Sequence, residues 1–221
     1  VWLDNGARLN ATGKRGGGEI LVGGDFQGKN NSIRNAWRTY VGTDVVLNAG
    51  AIQRGHGGKV IVWADDHTTF LGTIKARGAG YRGHGGFAEV SGKLTLKFAG
   101  DVIMPSSRGG RRGNLLLDPS DISIVDADNN IAEDGGQFSG TNASDSTVDI
   151  ATINNILDNG VNVDVNTGVG GLGGDGNITW NTANPIDNNN TGASLTLTAE
   201  NFGDTAEGNI IFAQSPTFDA N

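Results

Sequence analysis

Arg54-Gly55-His56-Gly57-Gly58 is repeated 28 residues later as Arg82-Gly83-His84-Gly85-Gly86. Phe70 recurs at the same offset as Phe98. Self-similarity at a fixed period of this length is typical of proteins built from stacked structural units, in which each unit contacts only its neighbours. The sequence therefore predicts a repeat architecture.

A short apolar strand follows each glycine cluster, and the same template fits a unit before and a unit after the repeated pair. Side chains in a strand alternate between two faces, so every second residue points the same way. The predicted inward residues are Ile20 and Val22, Val60 and Val62, Ala88 and Val90, and Leu115 and Leu117. The predicted outward residues are Leu21, Ile61, Glu89 and Leu116. Units stacked at about 4.8 Å with parallel pairing form an all-β, right-handed parallel β-helix, or β-solenoid.

The glycine clusters mark the corners of the predicted coils. We expect them there because a tight corner often needs a positive φ, which glycine adopts at little cost. Gly18 and Gly58 are further apart than one repeat, so residues 27–44 are predicted to form an extended loop or an incomplete coil, held down by Trp37 and Tyr40.

The second half of the chain carries related strand patterns, at 176–180, 194–199 and 208–212. Between the halves, one short helix is predicted near residues 147–158, capped by Ser146 and ended by Gly160, with Ile153, Ile156 and Leu157 on one face. The expected organisation is therefore glycine-rich coils with a repeat of about 28 residues over 1–125, a connecting segment with the helix over 126–160, and further coils over 161–221.

Composition restricts the function. The chain has 16 Lys and Arg against 24 Asp and Glu, a net charge of −8, and residues 114–221 contain no Lys or Arg. This argues against a nucleic-acid partner, because such binding needs clustered cations. The lack of cysteine excludes disulfides and thiolate metal sites. No long apolar segment is present, so no membrane insertion is predicted. Val1-Trp2-Leu3 opens as if inside a strand, so we expect a piece of a longer chain.

His56, His84, Asp65 and Asp66 invite comparison with the acid pairs of β-helical hydrolases that cleave pectin. The repeat favours another interpretation, since coil register alone sets both histidine positions, and the acid pair has no counterpart in the next coil. No catalytic residue, metal site or cofactor is predicted, because two histidines without a third ligand make a weak metal site. The run 170–175 matches part of a calcium-binding repeat, but in a single copy with Asn177 at an apolar position, so a turn is favoured over calcium binding.

Basic residues cluster around the glycine corners and should form a ridge along one edge of the coils. The candidate binding residues are Arg54, Arg82, Arg108, Arg111 and Arg112, accompanied by Lys14 and Arg15, with Trp63 as an outward aromatic. The ridge could contact an anionic polysaccharide or a neighbouring filament. It could also keep the edge soluble and prevent strand pairing between molecules.

The run 57–124, with Glu89-Val90-Ser91-Gly92 and Leu116-Leu117-Asp118-Pro119, resembles the shaft of filamentous-haemagglutinin-like exoproteins, which are passengers of two-partner secretion. The resemblance covers most of residues 1–125 and, more loosely, 146–213. It implies export by an outer-membrane transporter, and a secreted or cell-surface location in a Gram-negative bacterium or a cyanobacterium.

The resulting hypothesis is a structural shaft of an adhesin, biofilm or filament-forming exoprotein, and no enzyme. Its expected partners are a host or neighbouring-cell surface, a matrix polysaccharide, or further copies of the chain assembled into fibres, since unpaired strand edges invite association. The alternative is a β-helix that binds or acts on polysaccharide.

Overall fold

The computed structural model describes residues 1–126, 146–168, 174–187, 189, 191–200 and 208–218. Its strands are short and follow one another through the chain, and a single-turn 3₁₀ helix at Phe26–Gly28 and the α-helix α1 at Ile150–Asp158 accompany them. The strands, numbered in chain order, are β1 Trp2–Leu3, β2 Arg8–Asn10, β3 Glu19–Val22, β4 Arg38–Val41, β5 Val46–Asn48, β6 Lys59–Ala64, β7 His67–Phe70, β8 Thr73–Lys75, β9 Phe87–Gly92, β10 Thr95–Phe98, β11 Asp101–Ile103, β12 Asn114–Leu117, β13 Ile122–Val125, β14 Thr147–Asp149, β15 Asn162–Asn166, β16 Ile178–Asn181, β17 Leu195–Thr198 and β18 Ile210–Phe212.

These strands form three sheets in which every pairing is parallel, and the strand orders are those of a parallel β-helix. One sheet has the order β3-β6-β9-β12-β15-β17, the second has β1-β4-β7-β10-β14-β13-β16-β18, and the third has β2-β5-β8-β11. A complete coil contributes one strand to each sheet, as β6, β7 and β8 do. The predicted β-helix is confirmed.

The predicted register is also confirmed in the first sheet. Val60 pairs with Ala88 and Val62 with Val90, and the next coil continues with Leu115 and Leu117. These inward residues are all buried in one apolar core. Phe70 and Phe98 stack inside it with ring centroids 5.6 Å apart and planes 8° apart. The 28-residue period therefore places like residues on like.

Residues 23–37 form the excursion, which lies over the outer face of β6 and β9. As a result, two of the predicted outward residues, Ile61 and Glu89, are fully buried rather than exposed. Trp37 does not pin the excursion, because its side chain is 66% exposed. Tyr40 belongs to β4 and stacks on Trp2, with ring centroids 4.2 Å apart.

The α-helix begins later than predicted. Residues Thr147–Asp149 form β14, which inserts between β10 and β13, and Asp149 caps α1 by accepting a hydrogen bond from the Ala151 N–H. Ser146 is not the cap: its hydroxyl accepts from the Leu96 N–H instead. Ile153, Ile156 and Leu157 are buried as predicted, and Gly160 follows the helix with φ +71°. Helix α1 packs against β11 and β15, beside the edge of the third sheet.

Close approach of neighbouring backbone explains the repeated Gly-Gly corners better than positive φ does. Gly57 has no positive φ, but a Cβ added there would lie 1.9 Å from the Ala76 carbonyl oxygen. Gly85 is equivalent, at 2.2 Å from the Met104 carbonyl oxygen. Among the repeated motifs, Gly55 does have the expected positive φ, at +100°.

Candidate functional site

An open groove of about 580 Å³ runs along the glycine corners of neighbouring coils. Its floor is formed by glycine pairs that precede β3, β6 and β9. Because these glycines carry no side chain, the side chains beside them stay accessible on the groove walls. The side chains on its walls are those of His56, His84, Arg111, Arg112, Lys59, Phe87 and Asn114.

His56 and His84 stack in the groove with ring centroids 4.2 Å apart and planes 7° apart. Each imidazole is fixed by the backbone of the next coil. The Nδ1 of His56 accepts from the His84 N–H at 2.9 Å, and the Nδ1 of His84 accepts from the Arg111 N–H at 2.9 Å. A nitrogen that accepts a hydrogen bond carries no proton, so the proton of each neutral ring lies on Nε2.

The pKa of His84 lies below its ordinary value. Removal of water around the ring is the main cause, followed by the positive charge that His56 would carry and by the charge of Arg111. A depressed histidine pKa favours the neutral ring near pH 7. His84 therefore acts mainly as a neutral hydrogen-bond donor through Nε2.

His56, His84 and Arg111 stand at equivalent corners of three successive coils, and we call this row of residues the histidine ladder. Arg111 is its third member. Its main-chain carbonyl accepts from the Gly85 N–H, as the carbonyl of His84 accepts from the Gly57 N–H. The Arg112 guanidinium contacts the Thr191 carbonyl oxygen. Both arginines are exposed, and neither forms a salt bridge within the described ranges. Because neither guanidinium charge is neutralised by a carboxylate of the described residues, the two arginines make this end of the groove positive.

The structure brings the predicted arginines together only in part. Arg111 and Arg112 line the groove, whereas Arg54, Arg82 and Arg108 are exposed outside it. Arg82 and Arg108 lie on adjacent coils, because the Arg82 N–H donates to the Arg108 carbonyl oxygen at 3.0 Å. Arg82 has a φ of +58°, and its guanidinium lies 5.4 Å from the Tyr81 ring centroid.

Trp63 is not the outward aromatic that the sequence predicts. Its side chain is 1% exposed, because the excursion covers it: a Cβ added at Gly24 or Gly28 would lie within 2.7 Å of the indole ring. Its Nε1 donates to Asp65 at 3.1 Å. A buried indole cannot stack on a sugar, so Trp63 is removed from the candidate binding residues.

The histidines and the acid pair lie at opposite ends of their strands. His56 precedes β6, whereas Asp65 and Asp66 follow it, and a six-residue strand spans about 20 Å. Asp65 accepts from Asn35 at 2.9 Å and Asp66 pairs with Arg38 at 2.6 Å. These carboxylates therefore hold the excursion, through Asn35, and the neighbouring strand β4, through Arg38.

A metal ion does not fit the stacked histidines. Coordination through Nε2 needs that nitrogen unprotonated, and a neutral ring would then carry its proton on Nδ1, where both rings already accept a backbone N–H. In the part of the chain that the structure describes, no three His, Cys, Asp or Glu side chains are grouped as a metal site. Four glycine-run residues of the calcium-like motif, 170–173, lie outside the described residues.

Two groove residues, Lys59 and Phe87, were not singled out from the sequence. Both directly follow a Gly-Gly pair and pair with each other in register, a position that the repeat could have shown. Lys59 forms salt bridges with Glu19 and Asp25. The Asn30 amide, the Phe26 N–H and Lys59 together lower the pKa of Asp25 to about 2. Phe87 contacts Phe26, with ring centroids 5.9 Å apart.

The fold and the groove together define a parallel β-helix protein with a basic, solvent-open groove across successive coils. No protein-family model matches the chain, and no curated protein matches it. Within the described residues, no helix has the length and apolar character needed to cross a membrane.

Proposed function

We propose that the protein is the structural shaft of a secreted, surface-associated adhesin or matrix-forming exoprotein of the filamentous-haemagglutinin-like type. The observation that carries this proposal is the continuous parallel pairing from β3 through β6, β9, β12 and β15 to β17. Pairing of this kind, over a single apolar core, makes a stiff elongated body whose stability depends on contacts between neighbouring coils. Such a body suits a spacer that holds a binding surface away from a cell.

The residues that suggest hydrolytic chemistry have structural partners, which supports a role without catalysis. Asp66 pairs with Arg38, Asp65 holds the excursion, and the two histidines accept backbone N–H groups of the next coil. Most glycoside hydrolases use two carboxyl side chains that flank the bond they cleave. Asp65 and Asp66, the adjacent acids considered for this role, are instead bound to Asn35 and Arg38.

The lack of cysteine supports the proposed export route. A chain that crosses an outer-membrane transporter in an extended state would be obstructed by disulfides formed in the periplasm. Folding would then follow outside the cell. A host or neighbouring-cell surface, matrix polysaccharide and further copies of the chain are the proposed partners at that location.

Cell fractionation tests the location. Antibodies raised against the purified protein should detect it in the culture medium or on intact cells of the source organism, where added protease should remove it. Detection only in the cytoplasm would overturn the proposal.

Deletion of the gene tests the role. The deletion strain should attach less to surfaces and form less biofilm, and the unaltered gene should restore both. A gene carrying Phe98→Ala should restore neither, because that substitution removes a core ring from the stack. Release of reducing ends from acidic polysaccharides by the purified protein would instead establish an enzyme.

A further inference from the structure

We propose that the groove along the glycine corners binds an acidic polysaccharide, whose carboxylate or sulfate groups accept hydrogen bonds from Nε2–H of His56 and His84 and pair with Arg111 and Arg112. This binding site goes beyond the proposed shaft. The proposal depends on the geometry of the groove alone and does not require that the protein is secreted or adhesive.

The two histidine donors in the groove have a fixed direction. Each Nδ1 accepts a backbone N–H, which requires a neutral ring, so the single ring proton lies on Nε2. The two rings are nearly parallel and related by one coil, so their Nε2–H groups point the same way. Two parallel N–H donors one coil apart can donate to two oxygens of one oxyanion, or to anionic groups on successive sugars.

One end of the groove carries positive charge. Arg111 extends the ladder by one coil and Arg112 lies beside it, both exposed. None of the described residues that line the groove is acidic. Guanidinium groups bind carboxylate and sulfate through paired, charge-assisted hydrogen bonds, which makes an oxyanion the expected ligand group.

The shape of the groove restricts the kind of ligand that it can bind. It is open and crosses several coils spaced by about 4.8 Å, so it suits a linear ligand more than a small enclosed one. Phe26 is 41% exposed and contacts Phe87 at the groove wall. Aromatic rings of this kind can pack against the apolar face of a sugar ring. The expected ligand is therefore linear, with sugar rings that can pack against the aromatic ring and with anionic groups at regular intervals. An acidic polysaccharide has both features.

The overall charge disfavours the other common linear polyanion. The chain has a net charge of −8, and no Lys or Arg follows Arg112. A long nucleic acid needs a wide basic surface, whereas this positive region is confined to one groove. Nucleic-acid binding is accordingly the competing outcome of the test.

Calorimetric titration of the purified chain at low ionic strength provides that test. The probes are a uronic-acid oligosaccharide, a sulfated oligosaccharide, a neutral oligosaccharide of equal length and a single-stranded oligonucleotide. The first or the second should bind, and binding should weaken as salt is added. Which of the two binds more tightly distinguishes carboxylate from sulfate as the natural group. Equal or tighter binding of the oligonucleotide, or no binding of either acidic oligosaccharide, would overturn the proposal.

Substitutions locate the binding. His56→Asn with His84→Asn keeps a side-chain oxygen able to accept the backbone N–H, but removes both Nε2–H donors. We expect the affinity for the acidic oligosaccharide to fall about tenfold or more, and Arg111→Ala to lower it separately. The matched control is Lys75→Ala with Arg77→Ala, which removes two exposed cations from the β8 side of the coil. Equal losses in the control and the groove variants would show unspecific attraction and contradict the proposed site.

Circular dichroism and thermal melting confirm that each variant is folded before titration. The outcome is independent of the shaft proposal. A chain that binds the oligosaccharide but stays in the cytoplasm refutes only the shaft, and a surface-located chain that binds no oligosaccharide refutes only the groove.

Discussion

The carboxylate of Glu89 accepts a hydrogen bond from the main-chain N–H of Gln27, whose nitrogen lies 3.1 and 3.2 Å from the two carboxylate oxygens. The Gln27 side-chain amide donates to Asp118 at 2.8 Å. Glu89 and Asp118 are both fully buried and belong to successive coils. One residue of the excursion therefore connects it to two coils, and Gln27 adopts a φ of +53° to do so.

The first prediction concerns pH. Burial raises the pKa of Glu89 to about 7, against the opposing effect of the Gln27 N–H. A folded-state pKa above the unfolded value favours the protonated group, so this contribution to stability is complete below about pH 4.5 and is lost as pH rises through 7. Compared with Glu89→Gln, the natural protein should lose about 2 kcal/mol of unfolding free energy between pH 5.5 and pH 8, measured by urea denaturation.

The exposed Glu200 supplies the control. Glu200→Gln should follow the natural protein at both pH values, because its carboxylate is exposed. The difference in unfolding free energy between Glu89→Gln and the natural protein should change between pH 5.5 and pH 8. If it is the same at both pH values, Glu89 titrates as an ordinary surface carboxyl.

The parts of the fold that repeat could be predicted from the sequence. Val60, Val62, Ala88 and Val90 are buried and paired as expected, because a fixed offset determines which residues stack and a period of two determines which point inward. The insertion of β14 between β10 and β13 could not be predicted. It has no equivalent in another coil, and Thr147 and Val148 fit the helical pattern as well as a strand.

The candidate site was predictable to a similar degree. The repeat placed His56 and His84 on adjacent coils, but their donor and acceptor atoms depend on the main-chain geometry of the next coil. The burial of Trp63 depends on contacts with the excursion, which lies about 35 residues earlier and outside the repeat period. Long-range covering of an outward face leaves no local pattern in the sequence.

The second prediction concerns the glycine corners. Gly57→Ala should destabilise the coil severely, because the new Cβ would lie 1.9 Å from the Ala76 carbonyl oxygen and 2.6 Å from the Gly86 nitrogen, both of them backbone atoms. We expect a loss of several kcal/mol of unfolding free energy or insoluble expression. Urea denaturation of the soluble fraction measures it.

Gly160→Asn is the comparison for this variant. Gly160 has a φ of +71° and no atom within 4 Å of an added Cβ, and asparagine tolerates this conformation. Gly160→Asn should lower the unfolding free energy by less than about 1 kcal/mol. Similar losses for Gly57→Ala and Gly160→Asn would disprove the role of close backbone approach.

The third prediction concerns the aromatic stack in the core. Phe98→Ala removes a fully buried ring that stacks on Phe70, and it should lower the unfolding free energy by about 3 to 5 kcal/mol. Phe218 is 72% exposed, so Phe218→Ala should change it by less than about 0.5 kcal/mol. Chemical denaturation of both variants provides the measurement, and equal effects would argue against the described core.

The fourth prediction concerns the excursion as a cover over Trp63. The chain has four tryptophans, of which Trp63 and Trp180 are 1% exposed while Trp2 and Trp37 are 47% and 66% exposed. In variants that retain one tryptophan each, with phenylalanine at the other three positions, acrylamide should quench Trp37 strongly and Trp63 weakly.

Adding Asn35→Ala to the Trp63 variant removes the amide that joins the excursion to Asp65 and to the Gly28 carbonyl oxygen, so quenching of Trp63 should increase. The same substitution in the Trp180 variant should leave its quenching unchanged, because Trp180 lies in β16, outside the covered strands. Strong quenching of Trp63 without Asn35→Ala would mean that the indole is accessible after all, and it would return Trp63 to the candidate sugar-binding residues.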